Sequence, residues 1–452
     1  MESNDALSLN IPYTGKPRVV IIGGGFGGLY ALKYLSSRNF QVVLFDKRNY
    51  HTFQPLLYQV ATAGLQPDAI VGPLRKILYK NEDFHFRMLR VLKINPEENT
   101  ISTMAGDLKY DYLIIANGMK SNFFGNEEIR KNVLPLKSIP DALNLRSHLM
   151  QLFEWASITV DDAVKEKIMT IVLVGAGPTG IETAGALAEL RKYVLPKDYP
   201  ALDFSQMKIY IIEGMNRTLP TMSEKASSIS KKNLEKMGVI IKLNSLVQTF
   251  DGEKVLLKNG EIINTYTVIW SAGVMGDVLA GLKHEWQEKG RLLINEECKI
   301  IGSQNIFAIG DVAMMKTEKY PKGHPGVAQP AIQMGKYVGK NLLNIHNNKS
   351  IKPFHYVDKG SLATIGRGKA VADLPGNLHF GGRPAWWIWL FIHITFLVSF
   401  RNKLLVLTNW IWNYFTFDKG NRLIIRPYIK RHDNLTEQKI FIENEQPEEV
   451  NV

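Results

Sequence analysis

The chain has 452 residues, 45% of them apolar and 22% charged, the make-up of a folded globular protein of two or three domains rather than a disordered or fibrous one. Its single cysteine, Cys298, excludes an intrachain disulfide, a Cys-x-x-Cys redox pair and a cysteine-built zinc site. A net charge of +12 admits nucleic acid, an anionic membrane or anionic cofactors as partners, and the position of the charge decides among them.

Residues 1–14 carry Glu2 and Asp5 and no apolar core before Lys16. They read as a flexible tail without a signal peptide, which predicts that the protein stays in a reducing compartment. The first element is an aliphatic strand, Val19-Val20-Ile21-Ile22, followed by Gly23-Gly24-Gly25-Phe26-Gly27-Gly28 and a helix-like segment. This is a dinucleotide cradle. Gly23 makes the turn, Gly25 admits a pyrophosphate and Gly28 lets the helix pack on the sheet, while the helix start offers its N–H groups to the phosphates. The next strand, Gln41 to Phe45, ends at Asp46, placed to accept hydrogen bonds from a ribose.

A long loop, His51 to Gly72, and a hairpin turning at Asn95-Pro96-Glu97-Glu98-Asn99 lead to a strand, Tyr112 to Ile115, that ends in Ala116-Asn117-Gly118. A second cradle then appears. Ile171-Val172-Leu173-Val174 runs into Gly175-Ala176-Gly177-Pro178-Thr179-Gly180, with Glu182 on the first turn of the helix. Its acid is Glu213, after the strand Lys208 to Ile212, late because an insertion with Pro196 and Pro200 intervenes. The strand Val268 to Trp270 ends in Ser271-Ala272-Gly273, small residues that let backbone pass close to a nucleotide. At Ile306 to Ile309 a further strand stops at Gly310-Asp311, which suggests that the chain returns to the first domain.

Two such cradles on one chain imply two dinucleotides, a donor and a flavin. The fold class is therefore α/β, with two Rossmann-like dinucleotide-binding domains, one inserted in the other. The expected boundaries are 15–150 and 286–350 for the first domain, 151–285 for the second, 351–432 for a C-terminal region, and 433–452 for a second flexible tail.

The C-terminal region differs in composition. Five of the eight tryptophans, Trp386, Trp387, Trp389, Trp410 and Trp412, fall in one stretch. Ala385 to Phe400 is short for a spanning helix, which needs about 20 apolar residues. From Leu404 to Phe417 the polar residues Thr408, Asn409, Asn413 and Thr416 share about 140° of a helical wheel. Seven basic residues (Arg401, Lys403, Lys419, Arg422, Arg426, Lys430 and Arg431) face one acid, Asp418. Tryptophan at headgroup level and basic attraction to an anionic leaflet read together as an amphipathic helical, monotopic membrane anchor over residues 384–431. Charge gathered here points to an anionic lipid bilayer and not to nucleic acid. A buried helix pair is the bland alternative.

Several stretches resemble the type II NADH:quinone oxidoreductases, the non-proton-pumping alternative NADH dehydrogenases. Gln54-Pro55-Leu56-Leu57-Tyr58-Gln59-Val60-Ala61-Thr62-Ala63-Gly64 is similar to the family's loop beside the flavin ring, and Gly177 to Glu182 to its NADH cradle. Ala116-Asn117-Gly118 with Asn122-Phe123-Phe124-Gly125 is similar to its flavin-domain strand end, and Ala328-Gln329-Pro330-Ala331-Ile332-Gln333 to its AQxAxQ quinone motif. Asn117 departs from the family's usual threonine, and local hydrogen bonding by asparagine should replace it.

The resemblance implies one non-covalent FAD in the first domain, with NADH as exchangeable substrate in the second. For FAD it implies Gly23, Gly25, Gly28 and Asp46, the backbone near Val91 for adenine, Ala116, Gly118, Asp311 for the ribityl chain or pyrophosphate, and Ala328 and Gln329 at the flavin's pyrimidine edge. For NADH it implies Gly175, Gly177, Gly180, Glu182, Glu213, Ala272 and Gly273, with Glu213 repelling the extra phosphate of NADPH. Arg217, four residues on, tempers that preference. Glu182, Gln329 and Gln333 are the catalytic candidates, the glutamines sharing a helix face. No metal is implied. The implied reaction passes two electrons from NADH through FAD to a membrane quinone, by a peripheral protein on the cytoplasmic face of a bacterial inner membrane, with a homodimer left open. Two other functions compete. A soluble reductase of a small redox protein has no need of residues 384–431, and a flavin-bound signalling protein would show no turnover with quinone.

Overall fold

A computed structural model describes residues 7–78 and 83–429. The chain forms two compact units. One holds the chain up to Thr52 with Val71–Lys120 and Val274–Lys359, and the other holds Phe53–Ile70, Ser121–Gly273 and the chain from Gly360 onward.

The core of the first unit is a five-stranded sheet in the order Ile306–Ala308, Tyr112–Ile115, Arg18–Ile22, Gln41–Phe45, Phe84–Arg87, with every pairing parallel. Parallel strands are covered on both faces, so their sequences are continuous aliphatic runs rather than alternating ones. Val19 to Ile21 and Val42 to Phe45 are fully buried accordingly. Helices Phe26–Tyr34 and Ala328–His346 pack on one another beside this sheet. The predicted hairpin is present, joining Val91–Asn95 to Thr100–Thr103.

The second unit repeats the plan. Its parallel sheet runs Leu134–Pro135, Thr267–Trp270, Thr170–Val174, Lys208–Ile212, Val239–Lys242. Helix Ile139–Ile158 starts at Ser138, whose hydroxyl accepts the Asp141 N–H, the usual way of satisfying an orphan donor at a helix start. An antiparallel meander, Ser361–Gly366, Lys369–Leu374 and Leu378–Gly382, lies against helix Pro178–Tyr193. The approach is so close that a Cβ on Gly185 would stand 1.9 Å from the Ile365 carbonyl oxygen. Two helices, Arg383–Phe396 and Phe400–Thr416, follow, and Ser399 caps the second by accepting the Asn402 N–H at 3.1 Å.

Packing sets the unit boundaries elsewhere than the expected 150, 286 and 351. Residues 121–150 join the second unit because Leu134 and Pro135 pair with Ile269 and Trp270. Residues 274–285 join the first, where Ile94 donates its N–H to Ala280 at 2.9 Å. The expected loop from His51 contains a helix, Leu57–Ala61, that packs on helices Ile139–Ile158 and Pro178–Tyr193 of the second unit. Residues 1–6 of the N-terminal tail, the tail 433–452 and the basic pair Lys430 and Arg431 lie outside the described residues.

Candidate active site

The two cradles are built alike. Gly23 and Gly175 sit at φ 105° and 104°, where a side chain is strained. A Cβ on Gly28 would lie 1.9 Å from Gly23 O, and one on Gly180 would lie 2.0 Å from Gly175 O. At Gly25 and Gly177 nothing lies within 4 Å of the Cβ position, which leaves open ground for a pyrophosphate. Neither following helix is capped by a side chain, and the positive end of a helix favours an anion.

The acids match as well. Asp46 accepts Gly24 N–H at 2.6 Å on Oδ2 and Arg48 N–H at 2.8 Å on Oδ1. Glu213 accepts Ala176 N–H at 2.6 Å on Oε2 and Met215 N–H at 2.8 Å on Oε1. The late position of Glu213 in sequence is thus absorbed by the insertion. Each oxygen keeps a further lone pair for a ribose hydroxyl. The residues present fit a dinucleotide at each cradle.

The flanking residues divide by unit. In the first, Ala116 follows its strand, buried, and its carbonyl oxygen lies 2.5 Å from the Cβ position of Gly23. Asn117 donates its amide to Asp277 O, a bond distant in sequence rather than the local one expected, and Gly118 adopts φ 76°. Asp311 stands in a short turn, Gly310–Val312. Val91 opens its strand with its side chain buried, so only its backbone can face a ligand. Ala328 and Gln329 open a helix with no side-chain cap. In the second unit, Ala272 N lies 2.9 Å from the Cβ position of Gly175 and Gly273 adopts φ 75°.

Gln333 exchanges two hydrogen bonds with the Val357 backbone, at 2.8 and 3.0 Å, and Gln329 Oε1 accepts Lys359 N–H at 3.1 Å. The two glutamines share a helix face as expected. Their amides fasten residues 357–359.

Glu182 lies one turn inside helix Pro178–Tyr193, buried, and lines a cavity of about 110 Å³. Oε1 accepts the Thr364 N–H at 3.3 Å. Burial pushes its pKa up to about 8 against the lowering effects of that bond and of the Trp389 indole, whose N–H falls short of hydrogen-bond geometry. The group holds its proton at neutral pH, like other carboxyls kept out of water. The cavity is walled by Tyr58, Gln59, Trp389 and Trp410 and reached by Lys419. Lys419 donates to Ala186 O at 3.2 Å, and burial lowers its pKa.

Little in the sequence marks these partners: Tyr58 and Gln59 lie within the Gln54 to Gly64 stretch, Lys419 reads as one of the seven basic residues of the C-terminal region, and Thr364 gives no signal. His393, within the aromatic run, stacks on Trp389 with ring centroids 4.3 Å apart, and burial lowers its pKa to about 4. Cys298 is fully buried, and burial raises its thiol pKa.

The second C-terminal helix turns polar as well as apolar residues inward, and both helices expose aromatic ones. Asn402, Val406 and Trp410 face the protein, and Asn413 donates to Gly64 O at 3.2 Å. Trp387, Phe391, Phe400, Trp412 and Phe415 are exposed, Phe400 by 81%. Much of the basic charge is engaged at home. Arg401 pairs with Asp68 at 3.0 Å, Arg422 pairs with Asp198 at 2.6 Å, and Arg426 donates to Asn144 at 2.8 Å. Among the described residues no helix is long and apolar enough to cross a membrane, and no group of three or more His, Cys, Asp or Glu could hold a metal.

Residues 17–335 match the pyridine nucleotide-disulphide oxidoreductase family model, and residues 359–417 match the NDH2 C-terminal domain. The chain is 36% identical over 414 residues to the type II NADH:quinone oxidoreductase NdhA of Mycobacterium tuberculosis, covering 88% of this chain and 87% of that one. It is 28% identical to the type II NADH:quinone oxidoreductase of Staphylococcus aureus, covering 82% and 92%. The NDH2 structure of Plasmodium falciparum in complex with NADH superimposes with a TM-score of 0.84 at 24% identity, over 91% of this chain and 100% of that one.

Proposed function

This chain belongs to the type II NADH:quinone oxidoreductases, and we propose that the cavity beside Glu182 is where its quinone headgroup is reduced. The enzyme oxidises NADH and reduces a quinone without pumping protons. FAD, held non-covalently, supplies the chemistry when bound by taking up two electrons and passing them on.

The residues of the chain do the rest. Gly23, Gly25, Gly28 and Asp46 hold the FAD pyrophosphate and ribose, with the Val91 backbone, Ala116, Gly118 and Asp311 along its length. The N–H groups of Ala328 and Gln329, at the positive end of a 19-residue helix, stabilise negative charge at the flavin's pyrimidine edge. Gly175, Gly177, Gly180, Ala272 and Gly273 cradle NADH, and Glu213 takes its ribose hydroxyls. Gln329 and Gln333 contribute by holding residues 357–359 in register.

Glu182 carries the reading. A carboxyl that keeps its proton near pH 7, among tryptophans of the C-terminal helices, can donate a hydrogen bond or a proton to a quinone oxygen. A quinone tail belongs in a bilayer, and the exposed aromatic residues of the same two helices would meet that bilayer. We place the enzyme on the cytoplasmic face of the membrane, bound peripherally to anionic lipid.

Ala186→Leu tests the cavity, because Ala186 is buried on its wall. The quinone KM should rise about tenfold, the scale of one lost favourable contact of 1.4 kcal/mol, with flavin content and the NADH half-reaction unchanged. An unchanged quinone KM would remove the cavity from the reaction.

A further inference from the structure

We infer that Tyr58 donates a hydrogen bond to a carbonyl oxygen of the quinone, with its hydroxyl aimed by Gln59 and Trp410; the inference rests on the cavity proposed above. The direction follows from which atoms can donate. An indole N–H has no acceptor role, and Trp410 Nε1 lies 2.7 Å from Gln59 Oε1, so the amide must present its oxygen to the tryptophan. Its NH₂ group is thereby turned to Tyr58, with Nε2 2.8 Å from the phenol oxygen. An amide nitrogen does not accept, so the phenol oxygen does.

Tyr58 is left with its own proton to give. Among the described residues no protein acceptor takes that proton, and the hydroxyl belongs to a side chain lining the same cavity as Glu182. Burial, followed by the negative charge of Glu182 when ionised, holds the Tyr58 pKa well above its ordinary value. The phenol therefore stays protonated across the working range. A quinone headgroup carries two oxygens that only accept, and protonated Glu182 and Tyr58 are two donors facing one space. Gln59 and Trp410 are positioning residues. Trp410 stands on the second C-terminal helix, so the element that carries the exposed aromatic surface also sets the polarity of the site.

The test uses the full-length FAD-loaded enzyme and three variants: Tyr58→Phe, Trp410→Phe and the double. The dissociation constant of a short-chain quinone is read by tryptophan fluorescence with the flavin oxidised, so that no turnover contributes. Tyr58→Phe should weaken quinone binding about tenfold and leave the rate of flavin bleaching by NADH unchanged. Trp410→Phe frees the Gln59 amide to turn over and should weaken binding less. The double variant should be no worse than Tyr58→Phe, because the two act as one unit. Incorporating 3-fluorotyrosine at position 58 keeps the fold, acidifies the hydroxyl and should tighten binding.

Wild-type affinity in Tyr58→Phe, with Ala186→Leu still impaired, would overturn the donor and leave the cavity standing. Wild-type affinity in both would overturn the cavity itself. Independent, additive losses from Tyr58→Phe and Trp410→Phe would overturn the alignment by Gln59.

Discussion

The backbone N–H of Thr364 donates to Oε1 of Glu182 across 3.3 Å, tying the helix of the second cradle to the meander that carries the C-terminal helices. The bond favours the ionised carboxylate, yet burial outweighs it and raises the pKa from 4.5 to about 8. A raised folded-state pKa contributes stability that is complete below pH 4.5 and is lost as pH climbs toward 8. Glu182→Gln, neutral at every pH, should therefore match the wild type in stability near pH 5 and exceed it near pH 9, by a difference on the order of a few kcal/mol. Thermal melts across that range check it. Parallel Tm curves for the two proteins would mean that the carboxyl ionises as freely as in water.

The cradles predict separable losses. Gly28→Ala puts a Cβ 1.9 Å from Gly23 O, an overpacking that costs about 1–3 kcal/mol, and the protein should purify with less flavin. Gly180→Ala makes the same collision in the second cradle, 2.0 Å from Gly175 O, and should keep its flavin while the KM for NADH rises about tenfold or more, by the same steric cost. The flavin-to-protein absorbance ratio and the NADH KM report the two effects. Flavin loss from Gly180→Ala alone would reverse the assignment of the cradles.

We propose that nucleotide choice falls to Glu213. Arg217 is the residue that tempers it: its Nη2 donates to Pro220 O at 2.9 Å and to Met222 O at 3.1 Å, while a guanidinium has further N–H donors. Glu213→Gln keeps an acceptor for Ala176 and loses the charge. It should lower kcat/KM for NADH, raise it for NADPH, and narrow the ratio about tenfold, the scale of one charge-assisted hydrogen bond. Steady-state kinetics with both nucleotides decide, and an unmoved ratio would place the discrimination elsewhere.

What could be read in the sequence was what local physics dictates. Glycine spacing after an aliphatic strand defines a cradle because sterics allow nothing else, and Asp46 followed at the ordinary distance. Residues whose role depends on distant packing were illegible. Nothing around Thr364 marks it as the partner of Glu182, and the run from Leu57 to Ala61 read as loop because its helix forms against Ile139–Ile158 and Pro178–Tyr193. The polar side of the second C-terminal helix was found by its periodicity, which gives a face but not its direction. Asn402 is buried and Asn413 bonds Gly64, while Thr408 and Thr416 are exposed, so the polar side turns inward only in part and Trp412 and Phe415 stand outside.

The exposed aromatic residues predict how the proposed membrane contact is made. Trp412 and Phe415 are 60% and 77% exposed, so Trp412→Glu with Phe415→Glu should change stability by no more than about 0.5 kcal/mol each. Co-sedimentation with anionic vesicles should fall about tenfold while turnover with a water-soluble quinone persists. Added salt should release the wild type only partly, since Arg401 and Arg422 are already paired with protein acids and surface attraction is screened. Full release by salt, with the double variant still bound, would assign the attachment to charge instead.

The most direct test of the proposed quinone site separates the half-reactions of Glu182→Gln by stopped flow across pH 6 to 10. NADH should bleach the flavin at the wild-type rate, and quinone-driven recovery should be slower than in the wild type at neutral pH. The wild-type recovery should decline above pH about 8, where Glu182 loses its proton, and this decline should be absent from the variant. Recovery at the wild-type rate with the decline intact, or a loss confined to the NADH step, would contradict it.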